Sequence, residues 1–502
     1  GCTNKMAESV KGIIKIFLDR GYLIDPDLIG GIDLDSEFID KNLESNDSGE
    51  LLMFNKTMMN KLLEKNISID LEKPLMENET DLRPFKVIKS FDKKPRKVQV
   101  QDFVTHYVNR YNSLRTILQN RNALIAPLSI SRILTKRERD NVSTIGLVYE
   151  KRYTKNNNLI LKLEDNTGTI NVLINSNKQE LFEKGKNIVL DEAIGVKGSN
   201  GEKIIFADEI FFPDVTLSGT EMKKSEKEEY AAFISDLHVG SKMFLESQFL
   251  DFIKWINGET GSSEQKEISK SVKYLFVIGD IVDGIGIYPN QEGELNIFDL
   301  EEQYKMCADL LGMIRKDVQI FICPGNHDAI RLAEPQPIFD KNMAESLYNL
   351  KNATLVSNPS MINIGSYEGF SGFDVLLYHG YSFDYYIDQI ESIRFGGGYD
   401  RGDLVMKFLL QKRHLAPSHG STPIIIDTDE DNLIIDKVPD FFASGHIHKT
   451  SISNYGKTTM ISGSCWQSRT TFQDKVGHHP EPGRVPIINL KTRDIKLMKF
   501  CD

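Results

Sequence analysis

Five short apolar runs in the C-terminal half each end in residues able to bind a metal ion. Ala231–Ile234 leads into Asp236 and His238, and Tyr274–Ile278 into Gly279, Asp280 and Asp283. Ile320–Cys323 leads into Gly325, Asn326, His327 and Asp328. Val375–Tyr378 leads into His379 and Gly380, and Phe441–Ser444 into Gly445, His446 and His448. Carboxylate and amide oxygens stand beside imidazoles, with no thiolate among them. That mixture suits Mn²⁺, Fe²⁺ or a catalytic Zn²⁺ better than a structural zinc. In Asp236-x-His238 and His446-x-His448 the two side chains would share one face of an extended backbone. The glycines at 279, 325, 380 and 445 permit tight turns and close approach of backbone or substrate. Five of the ten histidines lie in these motifs. Each motif alone is common at strand ends; the ordered set of five is not.

Such residues must be gathered from far apart in the chain. Buried strands that carry ligands at their ends do this in an α/β domain. The segment from about 230 onward alternates apolar runs with helix-like stretches and fits a large mixed α/β domain. Residues 214–229 are polar and charged and read as a linker. Upstream, Thr144–Tyr149, Leu159–Glu164, Thr169–Ile174, Asn187–Val196 and Lys203–Ile210 read as strands separated by turn signals. Five short strands suit a small barrel such as an OB-fold, which binds single strands or docks proteins. Residues 1–70 read as helical. Val10, Ile13, Ile14, Phe17 and Leu18 fall at helical spacing before Gly21, and Phe54, Met58, Leu62 and Leu63 suggest a second helix.

The chain has 502 residues, enough for roughly three domains and for cores that need no staples. No apolar run approaches the ~18 residues of a membrane helix, and no secretory pattern opens the chain. The five cysteines include no CxxC pair, which argues against a disulfide framework and a cysteine zinc knuckle. A reducing cytoplasm is the expected location.

The net charge of −11 argues against a general nucleic-acid binder. The average hides a basic segment. Residues 86–140 hold 13 Lys/Arg against 4 Asp/Glu, a net +9, so the remainder carries −20. Lys93, Lys94, Arg96, Lys97 and Arg110 are its candidate DNA contacts. Phe103, Tyr107 and Tyr111 either offer stacking faces or form the buried stripe of a helix. Arg394 with Gly396–Gly398 is a further candidate, as a loop near the cleft or as a plain surface turn.

Taken in order, DxH, GDxxD, GNHD, a lone His and GHxH resemble the calcineurin-like metallophosphoesterase superfamily. The polar stretch Asn257–Ser271 reads as an insertion within the first gap. A closer resemblance covers about 141–502. There the chain is similar to the small subunits of archaeal D-family DNA polymerases. It rests on Lys412-Arg413-His414-Leu415-Ala416-Pro417, on Val438-Pro439-Asp440 before the GHxH element, and on Ser462–Thr470 with Phe472-Gln473. Over 1–85 it is architectural.

The resemblance implies a multidomain α+β chain. A small helical N-terminal module would occupy 1–75 and a basic linker and helical segment 76–140. An OB-fold β-barrel would occupy 141–215 and a calcineurin-like α/β/β/α sandwich 216–502. It also implies two divalent metal ions about 3.5–4 Å apart, Mn²⁺ first and Fe²⁺, Zn²⁺ or Mg²⁺ otherwise. Asp280 would bridge them. Asp236, His238 and His448 would complete one site, and Asn326, His379 and His446 the other. His327 would stabilise the transition state or protonate the leaving 3′-oxygen. Asp328 would orient His327, and Asp283 another ligand.

The implied activity is a 3′–5′ proofreading exonuclease that releases nucleoside 5′-monophosphates. Its partners would be a large catalytic polymerase subunit and single-stranded or frayed DNA 3′ ends. A sliding clamp would be a further partner, although no peptide motif marks the contact. The alternatives are a non-catalytic scaffold subunit and a protein or cyclic-nucleotide phosphatase built on the same metal core. Retention of all the ligand residue types argues for activity over a scaffold.

Overall fold

A computed structural model of the chain describes residues 16–20, 22–24, 52–54, 84–93, 96–121, 124, 126–137, 139–217 and 221–501. The chain divides into a unit over Gly1–Thr80 and a unit over Asp81–Asp502. In the first unit, strands β1 (Tyr22–Ile24) and β2 (Leu52–Phe54) pair in parallel. Phe54, expected to open a helix, instead ends a strand, because a parallel partner 30 residues upstream takes up its backbone. Met58, Leu62 and Leu63 lie outside the described residues.

In the second unit, β3 (Phe85–Ser90) comes first. Helix α1 follows over Val100–Gln119. Strands β4 (Asn141–Tyr153), β5 (Leu159–Asp165), β6 (Gly168–Ile174), β7 (Ala193–Gly201) and β8 (Ile204–Phe211) close a barrel in the order β4-β5-β6-β8-β7. Alternate residues such as Leu159, Leu161 and Leu163 fill its interior. The fourth strand begins later than the sequence suggested. Residues 187–192 make a turn through Asp191 at φ 63°, and pairing resumes at Ala193.

The remaining strands build two stacked sheets. One contains β9 (Tyr230–Ile234), β10 (Val272–Ile278), β11 (Gln319–Cys323), β12 (Ala353–Leu355), β18 (Arg484–Asn489) and β19 (Ile495–Lys499), in the order β12-β11-β10-β9-β18-β19. The other contains β13 (Ser360–Ile364), β14 (Phe373–Leu377), β15 (Phe441–Ser444), β16 (Ser451–Tyr455) and β17 (Thr458–Ser462), in the order β16-β17-β15-β14-β13-β3. Strand β3, inside the segment read as a linker, is therefore the edge strand of a sheet.

Strands β9, β11, β14 and β15 are buried at every position, and β10 at every position but Lys273. Both of their faces are covered, which is why they read as continuous apolar runs. Phe233, Phe276, Phe321, Val375 and Phe441 meet between the sheets. Residues one step along, such as Ala232, Leu275 and Val277, face helices α2 (Glu246–Ile256), α3 (Ser263–Ser271) and α4 (Leu300–Gly312). On the far side, α5 (Phe383–Gln389) and α6 (Gly402–Lys412) cover the second sheet. The result is a four-layer α/β/β/α sandwich. Helix α3 lies within the expected insertion.

The basic segment is held by the chain itself. Lys93 pairs with Asp427 at 2.6 Å and Asp429 at 2.9 Å, and Lys89 with Glu430 at 3.6 Å. Arg110, buried on α1, donates to Asp431 at 2.6 Å and to the Pro417 carbonyl at 2.7 Å. His414 also bonds Asp431, at 2.9 Å. The Arg413–Pro417 motif is therefore part of a buried joint between α1 and the sandwich. Among the described residues no helix is long and apolar enough to cross a membrane.

Candidate metal centre

The C-terminal ends of β9, β10, β11, β14 and β15 meet at one crevice between the two sheets. The loops leaving them are not extended as expected. Asp236, His238, Asp280, His446 and His448 have φ of 54°, 54°, 50°, 72° and 55°. Side-chain-bearing residues rarely adopt this left-handed region, and such strain concentrates at functional sites. The chain turns sharply after β9, β10 and β15, so that both side chains of Asp236-x-His238 and of His446-x-His448 enter the crevice. Neighbouring loops hold these turns in place. The His238 N–H donates to the Asp280 carbonyl at 3.0 Å, and the His327 N–H donates to Asp280 Oδ1 at 2.8 Å.

Glycine is required where the backbones converge. A Cβ on Gly445 would lie 2.5 Å from Asp236 Oδ2. A Cβ on Gly325 would collide with Asp280 Oδ1.

The histidine hydrogen bonds determine where the lone pairs point. His238 Nδ1 donates to Asp283 Oδ1 at 3.1 Å, leaving Nε2 as an acceptor. That Nε2 faces His448 Nε2 at 3.1 Å and Asp280 Oδ2 at 3.9 Å. His448 Nε2 lies 3.3 Å from Asp236 Oδ1. His379 Nδ1 donates to the Ile278 carbonyl at 3.0 Å, so its Nε2 lone pair faces Asp280 Oδ2 at 3.2 Å and Asn326 Oδ1 at 3.1 Å. His446 Nε2 donates to Asp384 Oδ2 at 2.9 Å, and its Nδ1 faces Asn326 Oδ1 at 3.0 Å.

Three groups of donors thus converge, one of them His238–Asp283–His327, which shares His238 with another. In Asp236–His238–His448 and in Asp280–His379–His446, the ligand atoms lie within 4.8 Å of one another. Lone pairs facing lone pairs beside two buried carboxylates call for a cation. The electrostatics agree. Burial alone would lower His379, but the Asp280 carboxylate outweighs it and pushes the imidazole up to about 10. Burial would raise Asp280, yet His379 and His327 hold it well below the usual carboxylate range. The crevice favours positive charge, which a divalent ion would supply.

The other expected residues fall as follows. His327 is half-buried and donates from Nδ1 to the Asp283 carbonyl at 2.8 Å, which leaves Nε2 as its acceptor nitrogen. Asp328 does not orient it. Its carboxylate accepts from the N–H groups of Ile281 (2.9 Å), Val282 (3.1 Å) and Gly325 (2.7 Å). It therefore ties the β10 loop to the β11 loop, because its side chain points inward, away from the imidazole. Asp283 accepts from Nδ1 of His238, one of the candidate ligands.

Of the basic candidates, Lys93, Arg96 and Arg110 are taken up by carboxylates of the chain itself. Lys93 and Arg110 are held by the Asp427–Asp431 loop, and Arg96 pairs with Asp102 at 3.2 Å. Lys97 is exposed, and Lys94 lies outside the described residues. Tyr111 is buried, while Phe103 is 41% exposed, so the aromatic stripe is buried at one end only. Arg394 is exposed and donates to the Asp388 carbonyl at 2.7 Å.

Sequence reasoning missed three supporting side chains. Asp384 holds His446. Gln467 Nε2 donates to Asp283 Oδ1 at 2.9 Å, and Gln473 Nε2 lies 3.1 Å from His448 Nδ1. The glutamines stand in the Ser462–Gln473 stretch that carries the family resemblance, which did not assign them to the site. Asp384 had none.

Residues 231–450 match the calcineurin-like phosphoesterase family. The chain is 42% identical over 402 residues to the DNA polymerase II small subunit of Methanothermobacter thermautotrophicus, covering 80% of each. It is 36% identical over 489 residues to that of Archaeoglobus fulgidus, covering 95% of each. The chain belongs to the DNA polymerase II small-subunit family. A third member, from Pyrococcus abyssi, is 36% identical over 440 residues, covering 87% of this chain and 68% of that protein. In this family member the crevice described above lies wholly within the phosphoesterase match, apart from the two glutamines.

Proposed function

We propose that the centre holds two divalent metal ions and hydrolyses phosphodiesters at the 3′ end of single-stranded DNA. The observation that carries this reading is the position of Asp280. Its Oδ2 faces His379 Nε2 at 3.2 Å and His238 Nε2 at 3.9 Å, which belong to different donor groups. Asp236, His238 and His448 would complete one site, and Asn326, His379 and His446 the other.

Two such ions lower the pKa of a water and neutralise a phosphodiester. The protein's own residues do the rest. Asp283, Asp384 and the Ile278 carbonyl each hold the far nitrogen of a ligating histidine, which sets ring orientation and tautomer. His327, with Nδ1 donating to the Asp283 carbonyl, would present Nε2 to the leaving 3′-oxygen and, in its imidazolium form, give it a proton or stabilise its charge.

The relatives are named as small subunits of DNA polymerase II, so the partner would be the large catalytic subunit. The activity would then be 3′–5′ proofreading, with nucleoside 5′-monophosphates as products. We read the barrel as an OB-fold. The mixed carboxylate, amide and imidazole set suits Mn²⁺, Fe²⁺ or a catalytic Zn²⁺, and the family resemblance puts Mn²⁺ first.

The test is Mn²⁺-dependent degradation of a 5′-labelled single strand by the full chain with its partner subunit. Stepwise shortening that disappears in His327→Ala is expected. Inactivity with the metal fully bound would overturn the reading in favour of a scaffold.

A further inference from the structure

A cavity of about 410 Å³ adjoins the centre, with room for one nucleoside. Its wall carries Tyr399 and His478, whose rings lie 4.2 Å apart between centroids at 49°. Ile447 also lines it, and this residue stands between the ligand positions His446 and His448. Tyr399 lies beside Asp384, the carboxylate that holds His446. The cavity therefore shares a wall with the centre. Arg394 and Lys449 line it as well. Lys449 is paired with Asp400, whereas Arg394 pairs with no carboxylate among the described residues.

We infer that this cavity takes the base of the 3′-terminal nucleotide while its phosphodiester lies on the metal centre. This rests on the phosphodiesterase reading above and names how that site grips its substrate. Tyr399 and His478 supply flat faces against which any base stacks, which gives binding without sequence preference. Arg394 supplies a guanidinium for a strand phosphate. A base inside the cavity cannot remain paired. The strand end must leave its duplex first, and a mismatch lowers that cost. Discrimination against a correctly paired end thus follows from the cavity itself.

The test is calorimetric titration of the full chain, with Mn²⁺ present, using dAMP and 2-deoxyribose 5-phosphate. Wild type is expected to bind dAMP about tenfold or more tightly than the sugar phosphate, the effect of one stacked base. His478→Ala should erase that preference by weakening dAMP alone. His478→Phe and Tyr399→Phe keep the rings and should retain it. Equal binding of both ligands by wild type would overturn the inference, as would equal weakening of both in His478→Ala. Hydrolysis of methyl p-nitrophenyl phosphate, which has no base, reports on the centre separately. Its absence beside an intact dAMP preference would count against the phosphodiesterase reading and not against the cavity.

Discussion

Asp283 Oδ1 accepts a hydrogen bond from His238 Nδ1 at 3.1 Å. The same oxygen accepts from Gln467 at 2.9 Å, and Oδ2 accepts from Gln291 at 2.9 Å. The carboxylate is fixed from three sides, and the imidazole with it. Asp283→Asn should therefore weaken Mn²⁺ binding by roughly ten- to a hundredfold, as loss of such outer partners does. Gln467→Ala should act in the same direction and more weakly. Calorimetric Mn²⁺ titration checks both, and unchanged affinity in Asp283→Asn would assign this residue to packing alone.

His327 and Asp328 are neighbours with separate tasks, and their variants should separate too. His327→Ala should lower turnover by about 10²–10⁴-fold with Mn²⁺ affinity kept. Asp328→Ala strips three buried N–H groups of their acceptor, at roughly 1–3 kcal/mol each. It should lower the urea midpoint sharply. A stable but inactive Asp328→Ala would restore the expectation that Asp328 serves His327.

Arg110 tests the reading of the basic segment. Breaking a buried ion pair by removing one partner costs about 3–5 kcal/mol. Arg110→Ala should destabilise the protein on that scale in urea unfolding. The salt dependence of DNA binding should stay the same in the folded fraction. A weaker salt dependence with stability unchanged would return Arg110 to the DNA.

His414 makes stability pH-dependent. Burial and the nearby Arg110 hold its pKa down at about 4, against about 6.5 in an unfolded chain. Between these values the unfolded chain binds a proton that the folded one does not. The contribution is thus complete above pH 6.5 and is lost as pH falls toward 4. Urea midpoints measured from pH 7.5 to pH 4.5 should decline, and His414→Gln should flatten that decline.

The candidate ligand set was legible in the sequence because its donors follow strands that are covered on both faces and therefore almost entirely apolar. Asp236, Asp280, Asn326, His379 and His446 stand at such ends. The barrel was legible from turn signals, with its fourth strand displaced by the turn at Asp191. Contacts between distant segments left no periodic trace. Asp384 and His446 are 62 residues apart, and Arg110 and Asp431 are 321 apart. A local run of positive charge cannot report that an acidic loop elsewhere in the chain already holds it. The left-handed turns at the ligands were likewise invisible, since asparagine and glycine, their usual markers, are not the residues that adopt them.

The central claim is that Asp280 joins two metal ions in one centre. Diffraction from crystals grown with Mn²⁺, collected at the manganese absorption edge, measures this directly. The account predicts two anomalous peaks, one on each side of the Asp280 carboxylate, both lost in Asp280→Ala. A single peak, or peaks away from Asp280, would contradict it.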